Sequence, residues 1–510
     1  MKVLVAALHN GYYRNIESMA AELADRGHQL YLGAERHDSA LGGQAIVERL
    51  AAAHPNITYG KVPTREQKTR FLATKVRLTL DYLRYLEPEY ERTPALRQRA
   101  EVRTPSGFMM LARRGLLRSR RARRLLAKAL HAIDRSIPAS PDIERFLDAQ
   151  APDAVIVTPL IGLVPSSQLD LLRSAQARHI PTAVCVWSWD HLSSKAIIRD
   201  LPDRLFVWND VQRREATDMH AVPAERVVVT GAQSFDRWFD QRPSRDREEF
   251  ARRVGLPPGR PYVLWVCSAL FPGSPSEAQY VLQWVAALRS SSDRGLRDAA
   301  ILIRPHPSRK RDWDDVEWRT IRDVTLWGDN PIDAESRADY FDSLQYSAAV
   351  VGLNTSAFIE GGIAGRPVLA ILPEEFRPNQ EGTLHFHYLL DGGLLTVSRS
   401  LAEHCAQLAS VLAGETQEIL QRQREFVGAF VRPLGFDVPA TRVLADAVED
   451  LGRMRPQHAA ATPAAIARLG LMTLRALERM PSGRKLLLNE REIEGKLRRA
   501  DTEGREVSWL

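Results

Sequence analysis

Cysteine is almost missing from this sequence: Cys185, Cys267 and Cys405 are the only three in 510 residues. They lie far apart, form no Cys-x-x-Cys pair, and two of them fall in apolar strand-like runs. A disulfide framework and a thiolate metal site are therefore not expected, and all three read as small buried hydrophobes. Long apolar runs are missing too, since nothing approaches the ~18 uninterrupted apolar residues of a spanning helix. The opening "MKVLVAALHNG" carries one lysine and an apolar core too short for a signal peptide, so it reads as a buried first strand, and the expected location is the cytoplasm. There is no internal repeat beyond a generic strand–helix alternation and no low-complexity tract.

Acid is missing from one stretch. Residues 112–128, "ARRGLLRSRRARRLLAK", hold eight basic side chains and no Asp or Glu, in a chain of net charge +7. Aromatics are not interleaved with these arginines, which argues against nucleic acid as a partner. Leu126, Leu130 and Ile133 share a helical face beside the basic run. Two readings of 108–133 follow: docking on an anionic membrane surface, peripheral to the inner face of the membrane, or a solvated helix packed on its own domain.

What is present is an alternation of short β-rich runs and helical segments over most of the chain, the mark of parallel sheets covered by helices. The first series is "KVLVAAL", "QLYLGA", "DAVIVTP", "TAVCVWSWD", "RLFVWN" and "RVVVTGA"; the second is "YVLWVCS", "AAILIRPHP", "VTLWG", "AAVVGLNTS" and "PVLAIL". The expected class is α/β, with two Rossmann-like domains whose parallel sheets face an interdomain cleft. The first spans 1–240 with a basic helical insertion at 61–140. The polar, proline-containing 241–260 is the linker, 261–455 the second domain, and 456–510 a helical tail.

In open parallel sheets, ligands sit beyond the carboxyl ends of the strands. Five such junctions carry polar chemistry. At "VVGLNTSAFIEGG" a helix starts near Asn354, Thr355 and Ser356, offering unpaired N–H groups and two hydroxyls to an anion such as a phosphate. Glu360, one turn on, can accept from a ribose diol; an N-cap with a solvated glutamate is the competing reading. At "ILIRPHPSRK" a stiff turn presents Arg304 and His306, both able to donate to a diphosphate. At "VTLWGDNP", Trp327 either faces a nucleobase or packs. At "AALHNGYYRNIES", Gly11 permits close backbone approach beside Asn10, and His9, with an intrinsic pKa of about 6.5, suits proton abstraction. At "VWSWDHLSSK", Asp190 is the other candidate base, next to His191.

Two further stretches are open. Gln380, Glu381 and Thr383 in "FRPNQEGTLHFHY" can close over a sugar, with His385 nearby, or form a plain loop. Asp312 and Asp314 make an Asp-x-Asp pair, but in a highly charged stretch, and no metal site is expected.

With these residues in view, the segments "VWNDVQRREA", "ERVVVTGAQSFDRWF", "LIRPHP" and "GLNTSAFIEGGIAGRPV" resemble GT-B-type nucleotide-sugar enzymes over roughly residues 150–450. Closest in flavour are the bacterial polysaccharide and capsule glycosyltransferases and the CDP-glycerol glycerophosphotransferases; UDP-N-acetylglucosamine 2-epimerases are more distant. The glycerophosphotransferases carry a Thr-Asp-Tyr-Ser-Ser type segment where this chain has Leu353-Asn354-Thr355-Ser356. The resemblance implies phosphate roles for Arg304, His306, Thr355 and Ser356 and a ribose role for Glu360. It further implies a nucleotide sugar as substrate, with no separate cofactor, and a glycan or lipid-linked acceptor.

Overall fold

Strands rich in Val, Ile, Leu and Ala on both faces need cover on both sides, and the chain supplies it with a helix after nearly every strand. The structure, a computed structural model, describes residues 1–36, 42–115, 117–160, 166–456 and 465–495. In the first domain β1 (Lys2–His9), β2 (Gln29–Arg36), β3 (Ile57–Lys61), β4 (Ala154–Thr158), β5 (Thr182–Cys185), β6 (Arg204–Val207) and β7 (Val227–Val229) form one sheet in the order β3-β2-β1-β4-β5-β6-β7. Every pairing is parallel, with Val5 of β1 opposite Leu32 of β2 and Ile156 of β4.

The second domain repeats the scheme. Its strands β8 (Tyr262–Val266), β9 (Ala300–Arg304), β10 (Val324–Leu326), β11 (Ala349–Gly352), β12 (Val368–Ile371) and β13 (Thr396–Ser398) run in the order β10-β9-β8-β11-β12-β13, again all parallel. The strand order reverses at β1/β4 and at β8/β11, and crevices open there. The α/β class with two Rossmann-like sheets is therefore as the sequence predicts. β3 and β13, short and only partly apolar, are the strands absent from the sequence reading.

The chain crosses between domains twice. The buried carboxylate of Asp236 receives Arg432 Nη2 at 2.9 Å and the backbone N–H groups of Ala440 at 3.2 Å and Thr441 at 2.6 Å, tying the outgoing strand of chain to the returning one. The helix Ala440–Arg453, within the span expected for the second domain, lays Leu444, Val448 and Leu451 on the core of the first. Arg26 and His28 of the first domain hold its outer face through Asp446 and Glu449.

The insertion and the tail fold on each other. Helices Gln67–Arg84, Ser106–Arg113 and Arg120–Arg135 meet the helices Ala465–Arg479 and Pro481–Leu487, with Leu72, Ile137, Leu471 and Leu487 buried between them. Of the two readings of the basic stretch, the packed one holds for its apolar face. Leu126 and Leu130 pack against the core of the first domain and Ile133 against Gly470 and Leu471 of the tail, so the apolar face of 120–135 is not open to lipid. Among the described residues no helix is long and apolar enough to cross a membrane.

Candidate active site

The switch point of the second sheet is built around Ser268, just past β8. The carboxyl of Glu277 accepts from Ser268 N at 2.8 Å and from Trp265 Nε1 at 3.2 Å, and burial pushes its pKa up to about 7. Ser268 Oγ in turn accepts from the backbone N–H of Asn354 at 3.1 Å, which fixes the end of β11. The side-chain amide of Asn354 reaches the carbonyl of Asn379. The helix Ala357–Ile363 follows, and it lies close on β11 and β12: a Cβ on Gly361 would fall 3.2 Å from both Val350 and Val368. The N–H groups of Thr355 and Ser356, just ahead of this helix, have no hydrogen-bond partner among the described residues.

Opposite stands the turn after β9. Ser308 N–H donates to His306 Nδ1 at 3.2 Å, so the imidazole proton sits on Nε2. Burial, with the positive charges of Arg14 and Arg309, lowers the His306 pKa to about 4. His306 is a neutral N–H donor at pH 7.

The first domain supplies the far wall. A cavity of about 420 Å³ lies between the domains, with Trp189, Asp190 and Lys195 on one side and His306, Thr355 and His385 on the other. Asp190 accepts from Ser188 Oγ at 2.6 Å, Ser194 Oγ at 2.9 Å and Lys195 Nζ at 2.8 Å. Although burial opposes the charge, Lys195, His385 and these donors hold its pKa well below the usual carboxylate range. A carboxylate so stabilised is a poor base, and Asp190 instead fixes the loop that walls the cavity. His385 stands edge-on to Trp189, its buried Nδ1 without a partner among the described residues, and burial lowers its pKa to about 4.

Behind the turn lies a second cluster. Arg304 is buried, with its guanidinium 4.9 Å from the ring centre of Tyr340; Nη2 donates to the carbonyl of Asp329 at 3.3 Å and Nη1 has no partner among the described residues. The Tyr340 hydroxyl donates to Glu360, whose pKa is raised by burial despite the charges of Arg237, Arg14 and Arg304. Gly328, at φ +116°, makes room: a Cβ there would fall 2.4 Å from Arg304 Cζ. Arg304 therefore is not in the wall shared by His306 and Thr355, but beside Glu360.

No model of a known protein family matches the chain, and no curated protein matches it either. Among solved structures, a glycosyltransferase from Rickettsia africae superposes with a TM-score of 0.50 at 9% identity, covering 89% of this chain and 99% of that one. A UDP-GlcNAc 2-epimerase from Neisseria meningitidis bound to UDP-GlcNAc gives 0.49 at 10% identity, over 88% of this chain and 100% of its own. Two parallel sheets facing one cleft, with the helix Ala440–Arg453 returning from the second domain to the first, decide the architecture. The fold is GT-B.

Several expected site residues do not face the GT-B cleft. His191 is fully buried, bonded through Nε2 to the carbonyl of Pro159 at 2.9 Å, and supports the loop from below. Asn10 donates to Gln44 at 2.6 Å and Gly11 is buried, because the backbone at Gly43 packs directly on both. Gln380 is fully buried and donates to the carbonyls of Leu353 and Ile371, strapping two strand ends together. Glu381 pairs with Arg399 at 2.6 Å on the outer side of the same loop. Thr383 does line the cavity, although its hydroxyl donates to the carbonyl of Gln380. Trp327 belongs to a separate hollow of about 420 Å³, walled also by Pro305, Trp313 and Asp329. Asp312 pairs with Arg309 at 2.7 Å while Asp314 faces that second hollow, so the two carboxylates share no point. His9 lies beside Tyr12, centroids 4.3 Å apart, and Tyr12 meets Trp187 edge-on at 5.0 Å.

Sequence reasoning passed over Arg14, Lys195 and Tyr340. Arg14 sits in the short turn Asn10–Asn15 after β1 and is exposed, and its charge reaches His306, Tyr340 and Glu360 across the cleft. A basic residue just past a strand's carboxyl end was a readable signal. Tyr340, in the middle of the helix Ala334–Gln345, left none.

Proposed function

We propose that the protein is a glycosyltransferase that moves a sugar from a nucleotide-sugar donor to a glycan or lipid-linked acceptor in surface polysaccharide synthesis. The observation that carries this reading is the polar corner at the second switch point. Thr355 and Ser356, whose N–H groups have no partner among the described residues, and His306, with its Nε2–H, line one interdomain cavity, and the charge of Arg14 reaches His306 from the first domain. Such donors suit a diphosphate, whose negative charge grows as it leaves the sugar.

In this reading Glu360, oriented by Tyr340, accepts from the ribose hydroxyls, and Arg304 keeps the pair from repelling the phosphates. The hollow walled by Trp327 lies across the Pro305–His306 turn from the phosphate corner and suits the base. The bond between the anomeric carbon and the diphosphate breaks as a bond to the acceptor oxygen forms. His9, on the first-domain side, takes the acceptor's proton. The R. africae protein of the same fold is named a glycosyltransferase, which is compatible with this reading.

The test is a panel of nucleotide sugars measured by calorimetry against the wild type, Glu360→Ala and Arg14→Ala, followed by product analysis with and without acceptors. Donor binding weakened at least tenfold in both variants supports the site. Unchanged binding in both removes it, and conversion of a donor to its epimer without an acceptor replaces transfer by epimerisation.

A further inference from the structure

Among the described residues, eleven large apolar side chains are exposed, and eight of them project from the packed group formed by the insertion and the tail. The helix Ala465–Arg479 contributes Ile466 (84% exposed), Leu469 (64%) and Met472 (65%), while Ala467, Leu471 and Leu474 turn toward the protein. In a helix these two sets occupy opposite faces. Leu125 projects from Arg120–Arg135 at 69% exposure, and Met110 and Leu111 project from Ser106–Arg113.

The same helices carry the charge excess of the molecule. Between Ser106 and Arg135 there are nine basic side chains and one acid, Asp134, which is fully buried against Arg77 and Arg173. Arg121, Arg124 and Lys128 are exposed around Leu125, and Arg468 and Arg479 flank the apolar face of the tail helix. Arg120 and Arg123 pair with Glu87 and Arg135 with Asp200, while apolar side chains set among the remaining exposed cations match a surface with acyl chains beneath anionic headgroups. The eight exposed apolar side chains of this group include no aromatic ring for stacking on bases, and the charges exposed around them are mainly basic, which suits a lipid surface better than a second copy bearing the same charge.

We propose that the group formed by helices 106–113, 120–135 and 465–479 is a docking surface for an anionic lipid bilayer, with the exposed face of the tail helix entering the headgroup layer. The face expected from the sequence, that of Leu126 and Leu130, is turned inward; the tail helix supplies the apolar contact and the insertion supplies the charge. The inference stands independently of the transferase reading. The docking group is nevertheless joined to the cleft: Leu96 and Arg99, on the helix before Ser106–Arg113, line the interdomain cavity.

The test is flotation of the full chain with vesicles of phosphatidylcholine alone and of phosphatidylcholine mixed with phosphatidylglycerol. Binding is expected only to the anionic vesicles, falling as salt rises, and roughly fivefold for each basic residue removed in Arg121→Gln, Arg124→Gln and Lys128→Gln. Ile466→Asp with Leu469→Asp should lower binding at least tenfold. Hydrogen exchange on the wild type gives a readout that needs no variant: residues 465–479 should be protected when anionic vesicles are added. Absent vesicle binding, equal binding to neutral vesicles, or exchange at 465–479 unchanged on bound vesicles would overturn the proposal. So would self-association that the Ile466 and Leu469 changes abolish, which would make this face a dimer interface.

Discussion

The guanidinium of Arg84 donates at 2.8 Å to the carbonyl of Lys195, whose own ammonium holds Asp190 at 2.8 Å. Arg84 also reaches the carbonyls of Ala196 and Leu192, and Tyr85 and Tyr90 donate to those of Ser194 and Ser193. The insertion is thus a brace for the loop that walls the cleft. Its buried arginine satisfies backbone groups that a loop bent this tightly cannot pair among themselves.

Arg84→Met should therefore damage the cleft from a distance. Each buried carbonyl left without a donor costs about 1–3 kcal/mol. Denaturant unfolding should show a drop of that order. Nucleotide affinity, which the proposed function assigns to the second domain, should change less than turnover does.

Gly328→Ala tests the second cluster. The added methyl meets the Arg304 guanidinium, and φ of +116° is strained for any residue with a Cβ. Arg304 would be displaced from Tyr340, leaving Glu360 without its neighbouring charge. Donor affinity should fall at least tenfold while the circular dichroism spectrum stays unchanged.

His306 should act as a neutral donor throughout the physiological range. Its folded pKa of about 4 lies below the ordinary 6.5, so the folded protein binds fewer protons between these values. This group's contribution to stability is then complete above pH 6.5 and is lost as the pH falls toward 4. In NMR, the His306 imidazole signals should not titrate near neutrality. His306→Gln, which keeps an N–H donor, should retain more donor affinity than His306→Ala.

Glu277 has the opposite sign. Its folded pKa of about 7 lies above the ordinary 4.5, so its contribution is complete below pH 4.5 and is lost as the pH rises through 7. Glu277→Gln removes this dependence. Relative to the variant, the wild type should lose about 3 kcal/mol across that interval, as read from urea midpoints at a series of pH values.

The periodicity of the chain was enough to establish both sheets, because strands buried on two faces must be nearly all apolar and their helices must follow at regular spacing. β3 (Ile-Thr-Tyr-Gly-Lys) and β13 (Thr-Val-Ser) escaped since each is short and mostly not aliphatic, and so lacks that mark. The strand-end segments around His306 and Thr355 were also legible, because small polar residues after an apolar run have few structural uses. Gln380 and His191 carry the same polar chemistry, and sequence gives no sign that they are turned inward to hold backbone carbonyls.

By itself, then, the sequence determined the α/β class, the two sheets and the strand ends at which polar groups gather, since these follow from local spacing of apolar and polar residues. Only the tertiary structure decided that the charge of Arg14 reaches His306, that Asp190 is a clamped carboxylate, and that the tail helix, not Leu126 and Leu130, carries the exposed apolar face. Those outcomes depend on which distant segment packs against which. A side chain's charge, burial and partners are set by neighbours that lie far away along the chain.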